Sequence, residues 1–261
     1  MERPTCPKCG YSRQPSDTAP ATECPRCGIV FAKYAEHLAN RAAGKPAARL
    51  SASEEIEDEA GWVAKLQTRL FALPNQVDTT ILAIEALAFG VFLLWGLNFI
   101  FSNWRDNHIG ASFMHQVNLP FHEFGHVLFR PFGEWMTFLG GSLFQCLLPL
   151  ILAGVFVWRE SKPFSASFCV WWMGQSVMDV APYIGDATAM DMPLIGEYTE
   201  EIADNRALRH DWHNILEPLG LLHWDQRLAT LAHLLGAGIM LTSWAWGGWY
   251  LWRCWQQSRQ N

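Results

Sequence analysis

Two cysteine pairs and one pair of histidines carry the chemistry of this chain. Cys6 and Cys9 sit in CPKCG, and Cys24 and Cys27 in CPRCG. Two residues between cysteines make a turn that lets both thiolates reach one ion, and the glycine that follows supplies the backbone freedom a knuckle needs. Two knuckles joined by a short spacer close one tetrahedral site of four cysteines, so residues 1–34 are predicted to be a structural zinc ribbon. So small a segment cannot fold on apolar burial, and metal binding would supply its folding free energy. The rival is a redox CxxC, but no βαβ pattern surrounds either pair. A closed site suits contact or regulation, and a cytosolic partner of the ribbon is the corresponding expectation.

The second group is FHEFGH at residues 121–126. On a helix, His122 and His126 lie one turn apart on one face, so both imidazoles can bind one zinc ion. Glu123 stands beside them, placed to take a proton from a water whose pKa zinc brings down to about 7. A catalytic zinc needs a third protein ligand and an open position. The candidates are Asp179 and Asp186, in and after MDVAPYIGDA, and His210 and Asp211 in HDWHNIL. Gln175 shares a helical face with Asp179. Gly140-Gly141-Ser142, with Gln145 one turn on, reads either as a close helix contact or as a groove where Gln145 binds a substrate backbone. His108, His115, His223 and His233 are read as structural.

These groups need elements to hold them. Half of the 261 residues are hydrophobic and 14 are Trp. Four apolar runs are long enough to cross a bilayer: Ile81–Phe101, Met136–Trp158, Phe164–Ile184 and Leu228–Trp252. Trp104, Trp135, Trp158 and Trp252 lie near their ends, as an aromatic belt would. The HExxH segment, about Leu119 to Arg130, is apolar but short. Asn118 is expected to cap it, and Pro131 with Gly133 to end it. It is either part of a kinked spanning helix or a re-entrant segment. Ionisable groups at membrane depth cost about 2.5–3.5 kcal/mol each on insertion scales, which marks His122, Glu123 and His126 as functional.

Before these runs, residues 35–60 read as a partly helical or disordered linker with an acidic run from Glu54 to Glu59. Trp62, Leu66, Leu70 and Leu73 then share one helical face, as in a helix at the membrane surface or one packed on the domain. The expected division is a ribbon at 1–34, a linker and interfacial amphipathic helix at 35–77, and a membrane metalloprotease-like domain at 78–261. The fold class is mainly α, a polytopic helical membrane bundle of four to five membrane segments with a small N-terminal ribbon.

Net charge is −6 and the Lys and Arg residues are scattered, which argues against a nucleic-acid partner. The start, MERPTCPKCG, has no apolar core of a secretion signal, so the N-terminus is expected in the cytosol, where cysteines serve as ligands more than disulfides. Cys146, Cys169 and Cys254 read as small buried hydrophobes. Compact size and simple build point to a bacterial inner membrane.

The region from about 81 to 252 resembles the site-2 protease family of intramembrane zinc metalloproteases. That family carries HExxH on one membrane helix and a ligand Asp later, in an LDG-type motif. The resemblance implies His122 and His126 as ligands and Glu123 as general base. HDWHNIL resembles the second motif, with Asp211 in the ligand position and Trp212 where the family has Gly. It does not account for the ribbon. The implied function is a zinc-dependent peptidase cutting a membrane-embedded or juxtamembrane bond of a membrane protein substrate, with one catalytic and one structural zinc. Asp179, Asp186, His210 and Gln145 would then orient the ligands. Two other functions fit the residues: a membrane di-iron oxygenase or desaturase, using HEFGH and HDWH as histidine boxes, and a non-catalytic metal-binding adaptor.

Overall fold

The computed structural model describes residues 5–42, 52–106, 108–192 and 206–260. Residues 43–51 of the linker and 193–205 of the acid-rich connection after Gly185 lie outside the described residues. So do the side chains of the acidic run Glu54 to Glu59. The chain is mainly helical. Its helices are α1 (Phe31–Ala42), α2 (Ala52–Leu70), α3 (Thr79–Ile100), α4 (Phe113–Phe129), α5 (Glu134–Val155), α6 (Pro163–Gly185), α7 (Asp211–Leu216) and α8 (Asp225–Ser258). Among the described residues there is no strand, only two isolated antiparallel bridges, Thr5 with Ser12 and Glu23 with Val30. The chain divides into two compact units, Met1–Val63 and Ala64–Asn261.

The first unit contains the two cysteine knuckles and α1. The expected ribbon boundary after residue 34 falls inside α1. The helix expected around Trp62 is longer than its apolar face suggested, because α2 starts at Ala52, ahead of the acidic run, and ends at Leu70, leaving Leu73 beyond it. Its last turns pack on the second unit's own core. Leu66 and Leu70, one turn apart, meet Ala153, Val157, Ala166 and Cys169. Arg69 donates to the Trp158 carbonyl at 2.6 Å and to Ser161 Oγ at 3.2 Å.

In the second unit, three stretches are long and apolar enough to cross a membrane: Thr79–Ile100, Glu134–Glu160 and Leu222–Ser258. The first is apolar apart from Glu85 and a few polar residues near its ends, and only 6% of its apolar window is buried. Leu87 is 71% exposed and Leu94 70%. So much continuous apolar surface is costly against water and costs nothing against lipid. Asp78 starts α3 by accepting from the backbone N–H groups of Thr80 and Ile81 at 2.8 and 3.2 Å.

The fourth expected run, α6, has the length at 23 residues but falls outside that set. Gln175, Ser176 and Asp179 lower its hydropathy, and all three are buried. It packs against α3, α4, α5 and α8. Phe99, Trp171, Met178, Met240 and Trp244 form the core where α3, α6 and α8 meet.

The HExxH helix α4 begins earlier than expected. Ser112 caps it, accepting from His115 N–H at 3.3 Å, and Asn118 lies inside it, fully buried. Asn-Leu-Pro imitates a helix start because Pro120 needs no N–H partner in a first turn, yet the helix runs through it. It does end where Pro131 and Gly133 place the stop, in a short 3-10 turn (Arg130–Phe132) followed by Gly133 at φ 103°. Seventeen residues reach about 25 Å, short of a ~30 Å hydrocarbon core.

Candidate functional site

The ribbon is built from two similar loops. Cys6 accepts from Gly10 N–H at 2.9 Å and Cys24 from Gly28 N–H at 2.9 Å through their carbonyl oxygens. Gly10 and Gly28 stand at φ 71° and 68°, a region where a side chain is strained. The loops bring all four sulfurs within 4.8 Å of one another. Sγ of Cys6 is 3.7 Å from that of Cys27, and Sγ of Cys9 is 3.7 Å from that of Cys24. A disulfide needs about 2.05 Å, whereas a tetrahedron with Zn–S bonds of about 2.3 Å has edges of about 3.8 Å. The sulfurs therefore fit one tetrahedral ion.

Protons divide unevenly among these thiols. Burial raises the Cys6 pKa, but backbone N–H groups of Cys9 and Lys8 and neighbouring thiols outweigh it and bring it to about 6. For Cys27, the Ile29 N–H lowers the pKa, but burial and the other three sulfurs push it up to about 12. Without a cation, four thiolates cannot share so small a space.

In the second unit, α4, α5, α6 and the segment entering α7 enclose a cavity of about 360 Å³, lined by His122, Glu123, His126 and Asp211 among others. His122 Nε2 lies 3.1 Å from Asp211 Oδ2, and His126 Nε2 lies 3.3 Å from the same oxygen. The other ring nitrogens are committed. His122 Nδ1 sits 2.9 Å from Gln145 Oε1, and Gln145 Nε2 donates to the Ser176 carbonyl at 3.1 Å, so the amide oxygen must accept. His126 Nδ1 sits 2.8 Å from the Thr137 carbonyl, which can only accept. Both Nδ1 atoms therefore carry hydrogen, and both Nε2 lone pairs of the neutral rings face a carboxylate oxygen. Three acceptors at such distances repel one another unless a cation or proton lies among them. Edges of about 3.3 Å are those of a tetrahedron with zinc bonds of about 2.0–2.1 Å. A proton on either Nε2 would compete with the ion for the same place.

Close helix packing makes this convergence possible. A Cβ on Gly125 would come within 2.2 Å of the Gly140 carbonyl oxygen, and one on Gly141 within 2.6 Å of Nε2 in both His122 and His126. The Gly140-Gly141 pair is thus a helix contact and also the floor under the imidazoles. Gln145 is not free for a substrate backbone, since both ends of its amide are used within the bundle. Glu123 is exposed to the cavity and its carboxylate groups with the two imidazoles within 4.8 Å.

Asp211 is delivered by the chain that precedes it. It is the first residue of α7, and His210 caps that helix, accepting from His213 N–H at 3.1 Å through Nδ1. His210 Nε2 must then carry the hydrogen, and it lies 3.1 Å from Asp186 Oδ2. Asp186 is anchored by the backbone N–H groups of Asp191 and Met192 at 2.8 and 3.0 Å. Trp212 donates to Ser142 Oγ at 3.1 Å and ties α7 to α5. His213 Nδ1 sits 2.9 Å from the Ala187 carbonyl. Asp186 and His210 thus hold α7 in place and do not face the point where the two Nε2 atoms meet.

Asp179 also lies away from that point. Its oxygens are 3.1 and 3.2 Å from His115 Nδ1, and Asn118 Nδ2 donates to it at 3.0 Å. It links to His122 through Asn118, Ser176 and Gln145. Residue types gave no hint of Thr137, which acts through its backbone carbonyl. His115 also lines the cavity, and its place two turns before His122 on the same face is the sequence signal for it.

No family model matches this chain, and neither does a curated protein or a solved structure.

Proposed function

We propose that the cavity of the second unit is a zinc peptidase site that hydrolyses a membrane-embedded or juxtamembrane peptide bond of a membrane protein. The four-cysteine ribbon is in this reading a structural zinc site, held in the cytosol. The observation that carries the proposal is the meeting of His122 Nε2, His126 Nε2 and Asp211 Oδ2, three acceptors with no donor between them, beside the exposed carboxylate of Glu123. His122, His126 and Asp211 would hold the ion, which when bound supplies Lewis acidity toward the scissile carbonyl and the attacking water. Glu123 takes one proton from that water as its oxygen bonds to the carbonyl carbon. The same carboxyl then gives the proton to the leaving nitrogen as the C–N bond breaks. Gln145 and the Thr137 carbonyl keep both imidazoles in the one tautomer that can ligate.

In this reading α6 is a fourth membrane segment, shielded by its neighbours, and α4 is a membrane-embedded segment of the site-2 protease type. The bilayer is a bacterial inner membrane. A substrate helix would have to unwind beside α4 to present its bond.

The test is Glu123→Gln in the detergent-purified full chain, assayed on a library of single-span helices carrying a cleavage reporter. Cleavage should fall at least about a hundredfold while the zinc content stays the same. Undiminished cleavage would sink the proposal. The donor set supports one other reading, since two imidazoles and a carboxylate also suit Fe(II) in oxygenases. The paired-box di-iron arrangement is not favoured, because His210 and His213 turn to Asp186 and the Ala187 carbonyl. Iron in the purified protein in place of zinc would favour the oxygenase.

A further inference from the structure

The cavity has a second polar end that peptide hydrolysis, as described above, does not use. His115 lines it together with Asp179, Tyr183 and Arg209. The two oxygens of Asp179 hold His115 Nδ1 at 3.1 and 3.2 Å, and the Tyr183 ring stacks on the imidazole at 6.1 Å. Asp179 is itself 2% exposed and is held from behind by Asn118. The Asn118 carbonyl oxygen accepts from Trp172 Nε1 at 2.8 Å and Ser176 Oγ at 3.3 Å, which fixes which end of the amide faces Asp179. The ring orientation of His115 is therefore set by a buried network reaching from α4 into α6.

A buried carboxylate at this distance favours the imidazolium. Nε2 has no hydrogen-bond partner among the described residues, and in the imidazolium form it is a donor for whatever fills the cavity. Arg209 adds a second cation on the lining, with no ion-pair partner among the described residues. His115 precedes His122 by two turns, about 10 Å along the helix. An extended peptide rises about 3.3 Å per residue, so this end lies about three residues from a bond held at the imidazole pair.

We infer that His115, fixed by Asp179, forms a subsite for a substrate carboxylate about three residues from the scissile bond. The inference rests on the peptidase reading of the cavity and names its substrate class, a peptide bearing an acidic side chain or a free C-terminus at that distance. The test measures binding of short fluorescein-labelled peptides to the metal-loaded full chain in detergent, carrying Glu123→Gln so that nothing is cut. One arm compares Asp with Asn at that position in C-terminally amidated peptides. The other compares a free with an amidated C-terminus.

In at least one arm the carboxylate should bind about tenfold tighter than its amide counterpart. The ratio should fall to about one when His115→Gln is added, with cavity zinc retained as the check on folding. Asp179→Asn keeps the volume and should lower the ratio part of the way. A ratio near one with His115 intact, or an unchanged ratio after His115→Gln, would overturn the inference. Glu123-dependent cleavage blind to carboxylates would remove this subsite and leave the peptidase. A His115-dependent carboxylate preference with no cleavage by the Glu123 form would keep the subsite and remove the peptidase.

Discussion

In the ribbon, the four sulfurs come from residues at most 21 positions apart, and each knuckle shapes its own pair with backbone hydrogen bonds. In the cavity, the third acceptor comes from 89 positions beyond His122, on a short helix with its own cap and anchors. The ribbon offers four sulfurs that could close around one ion. The cavity offers three beside a carboxylate and open space. A closed site can stabilise a fold that has little core of its own, and an open one leaves a coordination position for chemistry. The cost of the open site is support. Gln145, the Thr137 carbonyl, His210, Asp186 and Trp212 all serve to hold three atoms in place.

The sharpest break of this comparison is Cys6→Ser. It should abolish the fold of the ribbon, whose metal-coupled folding free energy is on the order of 10 kcal/mol. One of two zinc ions per chain should be lost by elemental analysis, and limited proteolysis should open the first unit. Loss of both ions would show that the sites are not built independently.

Gly141→Ala tests the cavity from its floor, since the new Cβ would sit 2.6 Å from both Nε2 atoms. Overpacking of about 1–3 kcal/mol should weaken zinc at the cavity by up to about a hundredfold, measured by competition with a chromophoric chelator. The ribbon's ion should stay. An unchanged affinity would mean that the ion does not meet the imidazoles on that side.

His210→Ala reaches the same site through the α7 cap and should lower cavity zinc affinity by about tenfold. His210→Asn should recover part of that loss, because Asn can cap a helix while losing the reach to Asp186. Equal loss in both variants would assign the effect to Asp186 and not to the cap.

The features legible without coordinates are those set within a turn or two of chain. CxxC spacing, the glycines after it, and the i, i+4 step of His122 and His126 all follow from turn and helix geometry. The apolar runs were visible for a similar reason, since hydropathy is a local sum. That sum is lower for α6, because Gln175, Ser176 and Asp179 face a network that other helices supply. Asn118 misled because a capping residue and a buried hydrogen-bonding residue are the same residue type, and only the neighbours Trp172, Ser176 and Gln175 distinguish them.

Among Asp179, Asp186, His210 and Asp211 the sequence determined only that acids and a histidine were present after the HExxH helix. Packing of α7 on α5 decided which of them meets the imidazoles, because a contact across 89 positions depends on how helices stack and not on any period along the chain. The same packing turned His115 from a histidine read as structural into a cavity group, by setting a buried carboxylate from α6 against its ring. Local spacing determined which residues could act together as ligands within a turn or two of chain. The tertiary structure decided which distant carboxylate joins the imidazoles and that open cavity lies beside them.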